Sequence, residues 1–228
     1  RWSQRQAFAF PATRAQLAGG TRVTPRLPPS ILALTSAEAL DLGPSKLLGR
    51  VEAAVDAGLS GVLLRERAWS DRKLLQTARD LRRILGQGWL GISDAPHLVQ
   101  ASGADGVHLS QRALDGEETR ALVGPGVAIG ISDHRSHPRS DLAFGDYAFL
   151  SPVREVPGKG PALGSASVIE WAQEHSLPAW GLGGLGAEDL IALRSGGLKG
   201  CAFLRGILGA PDPAGAFRVL LDTWGPEA

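Results

Sequence analysis

Ala179-Trp180-Gly181-Leu182-Gly183-Gly184-Leu185, read with Gly200-Cys201-Ala202-Phe203-Leu204-Arg205-Gly206, sets the fold expectation for this chain. Each stretch is a short apolar strand that runs into glycine and then into a helical pattern. Both lie near the C-terminus, where the last two strand-to-loop junctions of a parallel barrel would fall. In such barrels the loops after strands 7 and 8 commonly form a phosphate site. Glycine there lets backbone N–H groups approach an anion with no Cβ in the way. Gly183, Gly184, Arg205 and Gly206 are therefore the expected phosphate-binding residues.

The rest of the chain carries the same unit. Short apolar runs begin at Ile31, Gly61, Trp89, Gly106, Ala128 and Tyr147, before those at Ala179 and Gly200. Amphipathic stretches separate them. Lys46–Ala57 places Leu47, Val51, Ala54 and Val55 on one face, and Asp71–Leu85 does so with Leu74, Ala78, Leu81 and Ile84. Eight strand–helix units predict a parallel sheet closed on itself, a single (β/α)8 TIM barrel. An open doubly wound sheet is disfavoured because no G-x-G-x-x-G follows the first strand.

Composition agrees with one barrel domain. The chain has 228 residues, 43% of them hydrophobic, and a formal net charge of +1. Near-neutral charge with scattered basic residues gives no ground for a nucleic-acid partner. No apolar run reaches the length of a membrane span. The single cysteine, Cys201, precludes an intrachain disulfide, and the expected compartment is the cytoplasm. The pattern is compatible with a homo-oligomer and does not fix one.

Residues 1–29 differ from residues 30–228. They contain Arg1, Arg5, Arg14, Arg22 and Arg26, with no acidic residue. Such a leader has the composition of an organellar transit peptide, or of sequence upstream of the true domain start. Pro25, Pro28 and Pro29 mark the entry to the barrel, and the leader is expected to be poorly ordered and dispensable for folding.

In a barrel the reactive groups sit at the C-terminal strand ends. Those ends read Arg65-Glu66-Arg67, Ser93-Asp94, His108-Leu109-Ser110-Gln111, Ser132-Asp133-His134 and Ser151-Pro152, the last followed by a loop with Arg154 and Lys159. The rim is polar and partly cationic, and His134 is its best-placed imidazole. It suits a phosphorylated anion and one proton-transfer residue. His108, inside an apolar run, reads as a hydrogen-bonded barrel residue.

Leu64-Arg65-Glu66-Arg67, Gly103-Ala104-Asp105-Gly106-Val107-His108-Leu109, Gly130-Ile131-Ser132-Asp133-His134, Asp146–Pro152 and the Gly183-Gly184 pair occur in the order seen in the thiamin phosphate synthase/TenI superfamily. The chain resembles that superfamily over about residues 30–210. The resemblance implies thiamin biosynthesis and a small phosphorylated thiazole ligand. It offers two activities. A synthase carries Q-x-R-x-K on strand 2, where this chain has Leu63, Arg65 and Arg67. A synthase also has two Asp residues that hold Mg²⁺ on pyrophosphate, where this chain keeps Asp94 but has Ala113. Arg65-Glu66-Arg67 is similar instead to the TenI branch, a thiazole tautomerase, with His134 on that branch's catalytic histidine.

The leading expectation is thus a metal-independent thiazole tautomerase-like isomerase with no cofactor. In it His134 is the base, and Arg65, Arg67, Ser132 and Lys159 are substrate contacts. A divergent thiamin phosphate synthase, a transferase using Mg²⁺ at Asp94, is the alternative. A non-catalytic phosphate-ligand binder is the third reading.

Overall fold

A computed structural model describes residues 23–110, 115–134 and 140–226. Eight parallel strands close into a barrel in sequence order. They are β1 (Ile31–Leu34), β2 (Gly61–Leu64), β3 (Trp89–Ser93), β4 (Gly106–Leu109), β5 (Ala128–Asp133), β6 (Tyr147–Leu150), β7 (Ala179–Leu182) and β8 (Gly200–Phe203). β8 closes on β1 with Ile31 opposite Cys201 and Ala33 opposite Phe203. Among the described residues the outer helices are α1 (Ala37–Leu40), α2 (Pro44–Asp56), α3 (Asp71–Leu85), α4 (Val99–Ser102), α5 (Gly116–Val123), α6 (Ser165–Glu174), α7 (Ala187–Ser195) and α8 (Pro213–Trp224). The fold is the expected (β/α)8 barrel, and every expected strand start is found. None of the helices is long and apolar enough to cross a membrane.

Alternation along the strands divides the core in two. Inward residues Leu32, Leu34, Leu63, Trp89, Tyr147, Phe149, Trp180 and Ala202 fill the barrel. Their neighbours Ile31, Val62, Leu90, Ala148, Cys201 and Phe203 pack outward under the helices. Both faces of each strand are buried, which explains why the strands read as continuous apolar runs.

Residues 23–29 lie on the leader side of the expected boundary at Ser30, and they pack against the N-terminal end of the barrel. The Trp89 indole N–H donates to the Arg26 carbonyl at 3.0 Å, and that of Trp180 to the Pro29 carbonyl at 2.9 Å. Leu27 packs against the barrel-interior cluster between them. This strap covers the mouth opposite the strand C-termini. The rest of the expected leader, residues 1–22, lies outside the described residues.

Candidate active site

Strand parity decides which rim residues face the C-terminal mouth. After β2, the Arg65 backbone N–H donates to Thr35 Oγ1 at 3.0 Å, which joins the ends of β1 and β2. Glu66 turns the other way and is buried. Both its carboxylate oxygens accept from the Ala37 N–H at 2.9 Å, so it anchors the start of α1. Burial pushes its pKa up, against the lowering effect of the Thr35 and Ala37 hydrogen bonds. Arg65 is half-buried and Arg67 exposed. Burial pulls the Arg65 pKa down, and the Arg67 charge adds to that.

Lys159 belongs to the same field. Its pKa is lowered by burial first, then by Arg65 and Arg67. The loop after β6 thus brings the Lys159 charge within electrostatic range of the end of β2. Arg65 is half-buried, and Arg67 and Lys159 are exposed; an anion with several charges would relieve the repulsion among the three.

A cavity of about 290 Å³ opens beside them, with Arg65, Arg67, Trp69, Ser93, Asp94 and Ser110 in its wall. Asp94 follows β3 in a left-handed conformation, φ 56°, uncommon for a residue with a side chain. Its Oδ1 accepts from the Ser110 N–H at 2.7 Å, which fixes the carboxylate between the ends of β3 and β4. The Asp94 charge opposes the lowering of the Arg65 pKa, so the two groups are electrostatic neighbours. Strain held at a position like this occurs preferentially at functional sites. Among the described residues no cluster of three or more His, Cys, Asp or Glu side chains is arranged to hold a metal. Gln111, Arg112 and Ala113 lie outside the described residues.

On β5, Ser132 faces inward, and its Oγ lies 2.8 Å from His108 Nε2. Asp133 faces outward to the Trp171 indole N–H at 2.9 Å. His134 does not stand free at the rim. Its Nδ1 is bonded to the Ser151 carbonyl and lies 3.2 Å from Ser151 Oγ. The ring ties the end of β5 to the end of β6.

The glycine pair after β7 lies under the root of the β6 loop. Val153 N–H donates to Leu182 O and Arg154 N–H to Gly183 O, each at 3.0 Å. Gly183 and Gly184 have φ 99° and 70°, and a Cβ on Gly184 would come 2.8 Å from Arg154 Cβ. Glycine is required there by backbone conformation and by the loop crossing it. The Arg154 guanidinium grips Asp189, with Nε 2.8 Å from Oδ1, and the same carboxylate caps Gly186 N–H at the start of α7 at 3.0 Å. Burial alone would raise the Asp189 pKa, but these bonds outweigh it and hold it down. Arg205 and Gly206 are exposed in the turn after β8. The sequence reading missed the Arg154–Asp189 tether. Its one visible trace was Asp189 at the third position of α7, where a carboxylate reaches back to the cap.

The family described as "Thiamine monophosphate synthase" matches residues 32–207, and the chain belongs to it. A thiamine-phosphate synthase of Azorhizobium caulinodans is 36% identical over 181 residues, covering 76% of this chain and 85% of that protein. One of Laribacter hongkongensis is 34% identical over 184 residues, covering 78% and 87%. The solved structure of a thiamine phosphate pyrophosphorylase from Pyrococcus furiosus has the same fold. Its TM-score is 0.74 at 18% identity, covering 86% of this chain and 95% of that one. These relatives overturn the expectation of a TenI-type thiazole tautomerase, because at this identity they carry the synthase name. The physical reason lies at Arg67. It departs from the synthase lysine in identity, yet it places the same positive charge at the same strand end. The proton-transfer role expected of His134 was tied to the isomerase reading, and in the structure its Nδ1 is engaged with Ser151.

Proposed function

We propose that this family member is a thiamine-phosphate synthase, a transferase that joins a pyrimidine pyrophosphate to a thiazole phosphate. The convergence of Arg65, Arg67 and Lys159 carries the reading. Pyrophosphate leaves the pyrimidine carbon as the thiazole nitrogen bonds to it. The charge that grows on the departing oxygen falls within the field of three neighbouring cations, and electrostatic stabilisation of that kind lowers such barriers. Ser132 offers its hydroxyl to the same anion from the end of β5. The thiazole phosphate takes the turns after β7 and β8, at Gly183, Gly184, Arg205 and Gly206, where backbone N–H groups and the Arg205 charge suit it.

The donor set at Asp94 fits a Mg²⁺ that takes most of its oxygens from the substrate. Magnesium is commonly held by one or two carboxylates plus substrate phosphates, and Asp94 supplies one, fixed by Ser110. The ion would supply further neutralisation of the pyrophosphate. With Ala113 in place of a second carboxylate, the three cations carry the larger share.

The test is direct. Purified protein given pyrimidine pyrophosphate, thiazole phosphate and Mg²⁺ should form thiamin phosphate, read by oxidation to fluorescent thiochrome. Arg67→Ala should cut kcat/KM about tenfold to a hundredfold, the range of one lost charge-assisted hydrogen bond of about 1.5–3 kcal/mol. Absence of product from folded wild-type protein refutes the proposal.

A further inference from the structure

We infer that His108 is a positioning residue that sets the direction of the Ser132 hydroxyl, so that Ser132 donates its proton to an anionic oxygen bound at the mouth. The inference rests on the synthase reading for the identity of the anion, and otherwise on the geometry of the barrel interior.

His108 sits in β4 opposite Ser93 on one side and Gly130 on the other. It is 3% exposed, and His108 and Asp133 are the two titratable side chains lying buried in strands β3 to β5. Asp133 is engaged outward with Trp171. His108 points inward and stacks on Phe149, with ring centroids 4.2 Å apart, and Tyr147 lies on the same side at 5.8 Å. The backbone makes room for it. A Cβ on Gly130 would fall 2.4 Å from His108 Nδ1 and 2.2 Å from the Tyr147 ring, so glycine at this position is what admits the two rings together. An apolar side chain would fill such an interior more simply. The imidazole is placed with its Nε2 edge upward, 2.8 Å from Ser132 Oγ.

The chemistry of the pair follows from the donors available. A serine hydroxyl has one proton and two lone pairs, and its proton rotates to suit its surroundings. An anion accepts and cannot donate. For Ser132 to serve an anion, its own proton must point to the mouth, and its contact with His108 must be one in which it accepts. His108 meets that need when Nε2 carries the imidazole proton. The ring is packed against Phe149 and Tyr147 over Gly130, so the donor direction is fixed before the ligand arrives. A free hydroxyl would have to be turned and held at the moment of binding, and preorganisation removes that cost.

A double-mutant cycle tests this. The variants are His108→Leu, Ser132→Ala and the pair together, with His108→Gln as the rescue that keeps an N–H donor. Each is measured by thiamin phosphate turnover and, independently of turnover, by calorimetry with inorganic pyrophosphate. The expected result is that His108→Leu and Ser132→Ala each lower kcat about tenfold with KM changed less than threefold. The double variant should be no worse than Ser132→Ala alone, and His108→Gln should recover most of the loss. Coupling of this kind is the signature of two residues acting through one contact. Circular dichroism and melting temperature identify a variant that has lost its fold, and the cycle is then read on His108→Asn, whose shorter side chain does not reach Ser132. Losses that multiply in the double variant, or a His108→Leu protein with wild-type kcat, overturn the inference. If wild-type protein binds no pyrophosphate and makes no thiamin phosphate, the synthase reading falls and takes the inference with it. If wild type does both and the losses multiply, the inference alone falls.

Discussion

Removing residues 23–29 from the barrel should cost stability and spare the active site. The comparison is between a chain beginning at Val23 and one beginning at Ser30, both ending at Ala228. The shorter chain loses the acceptors for two indole N–H groups, those of Trp89 and Trp180. A hydrogen bond contributes about 0.5–1.5 kcal/mol net, so the pair is worth about 1–3 kcal/mol. Leu27 adds apolar contact on the interior cluster. Full burial of a leucine is worth about 1.5–3 kcal/mol, and partial burial about half of that. Against these gains stands the entropy of ordering the strap, which Pro25, Pro28 and Pro29 reduce because their φ angles are already fixed. The net expectation is about 1–2 kcal/mol. For a domain of this size each kcal/mol moves Tm by about 2–4 °C, so the shorter chain should melt roughly 3–8 °C lower. Differential scanning calorimetry reads this, and intrinsic fluorescence should shift to the red as Trp89 and Trp180 meet water. Turnover per folded molecule at low temperature should be unchanged, because the strap lies at the mouth opposite Arg65 and Lys159. Two chains that melt within about 2 °C of each other would refute the reasoning.

Glu66→Gln should stabilise the protein progressively as pH rises from about 4.5 upward. The wild-type carboxyl has its pKa raised by burial, so its contribution is complete below the unfolded value and is lost as pH passes the folded one, whereas the amide does not ionise. Melting curves across that window check the sign, and a difference in Tm that stays flat or falls with pH would contradict it. Asp94→Asn should raise the Mg²⁺ concentration for half-maximal turnover about tenfold, the equivalent of about 1.4 kcal/mol, with Tm nearly unchanged. A metal titration of thiamin phosphate formation measures this, and an unaltered half-saturation point would remove Asp94 from the metal's surroundings.

Much of the barrel was legible because its strands are buried on both faces. Runs such as Ala128–Ser132 and Tyr147–Leu150 carry that burial directly in their composition. The interior position of His108 was legible too, as one polar residue in an apolar run. What escaped notice was carried by the backbone. The carbonyls of Arg26 and Pro29 have no side-chain signature, so a strap that docks two tryptophans read as an arginine-rich leader. The electrostatic coupling of Lys159 to Arg65 and Arg67 depends on a loop held down by Arg154 and Asp189, residues far apart in the chain. The choice between synthase and tautomerase went astray for a different reason. Residue identity was weighed at Arg67 where charge was the relevant quantity. The anchoring of His134 was not legible because its partner is a main-chain carbonyl just past the neighbouring strand.

Cys201 gives the closed barrel a consequence of its own. It is the only cysteine in the chain. It lies in β8, fully buried beneath the helices, and burial pushes its pKa up to about 12. A thiolate is the reactive form, so in the native molecule this sulfur is nearly silent towards alkylating reagents. It becomes visible only when the helical layer lifts away from β8. One untouched residue thus serves as a natural clock for that opening, and the rate at which it takes up label, with and without ligand, would time the loosening of the helices over the strand that closes the barrel.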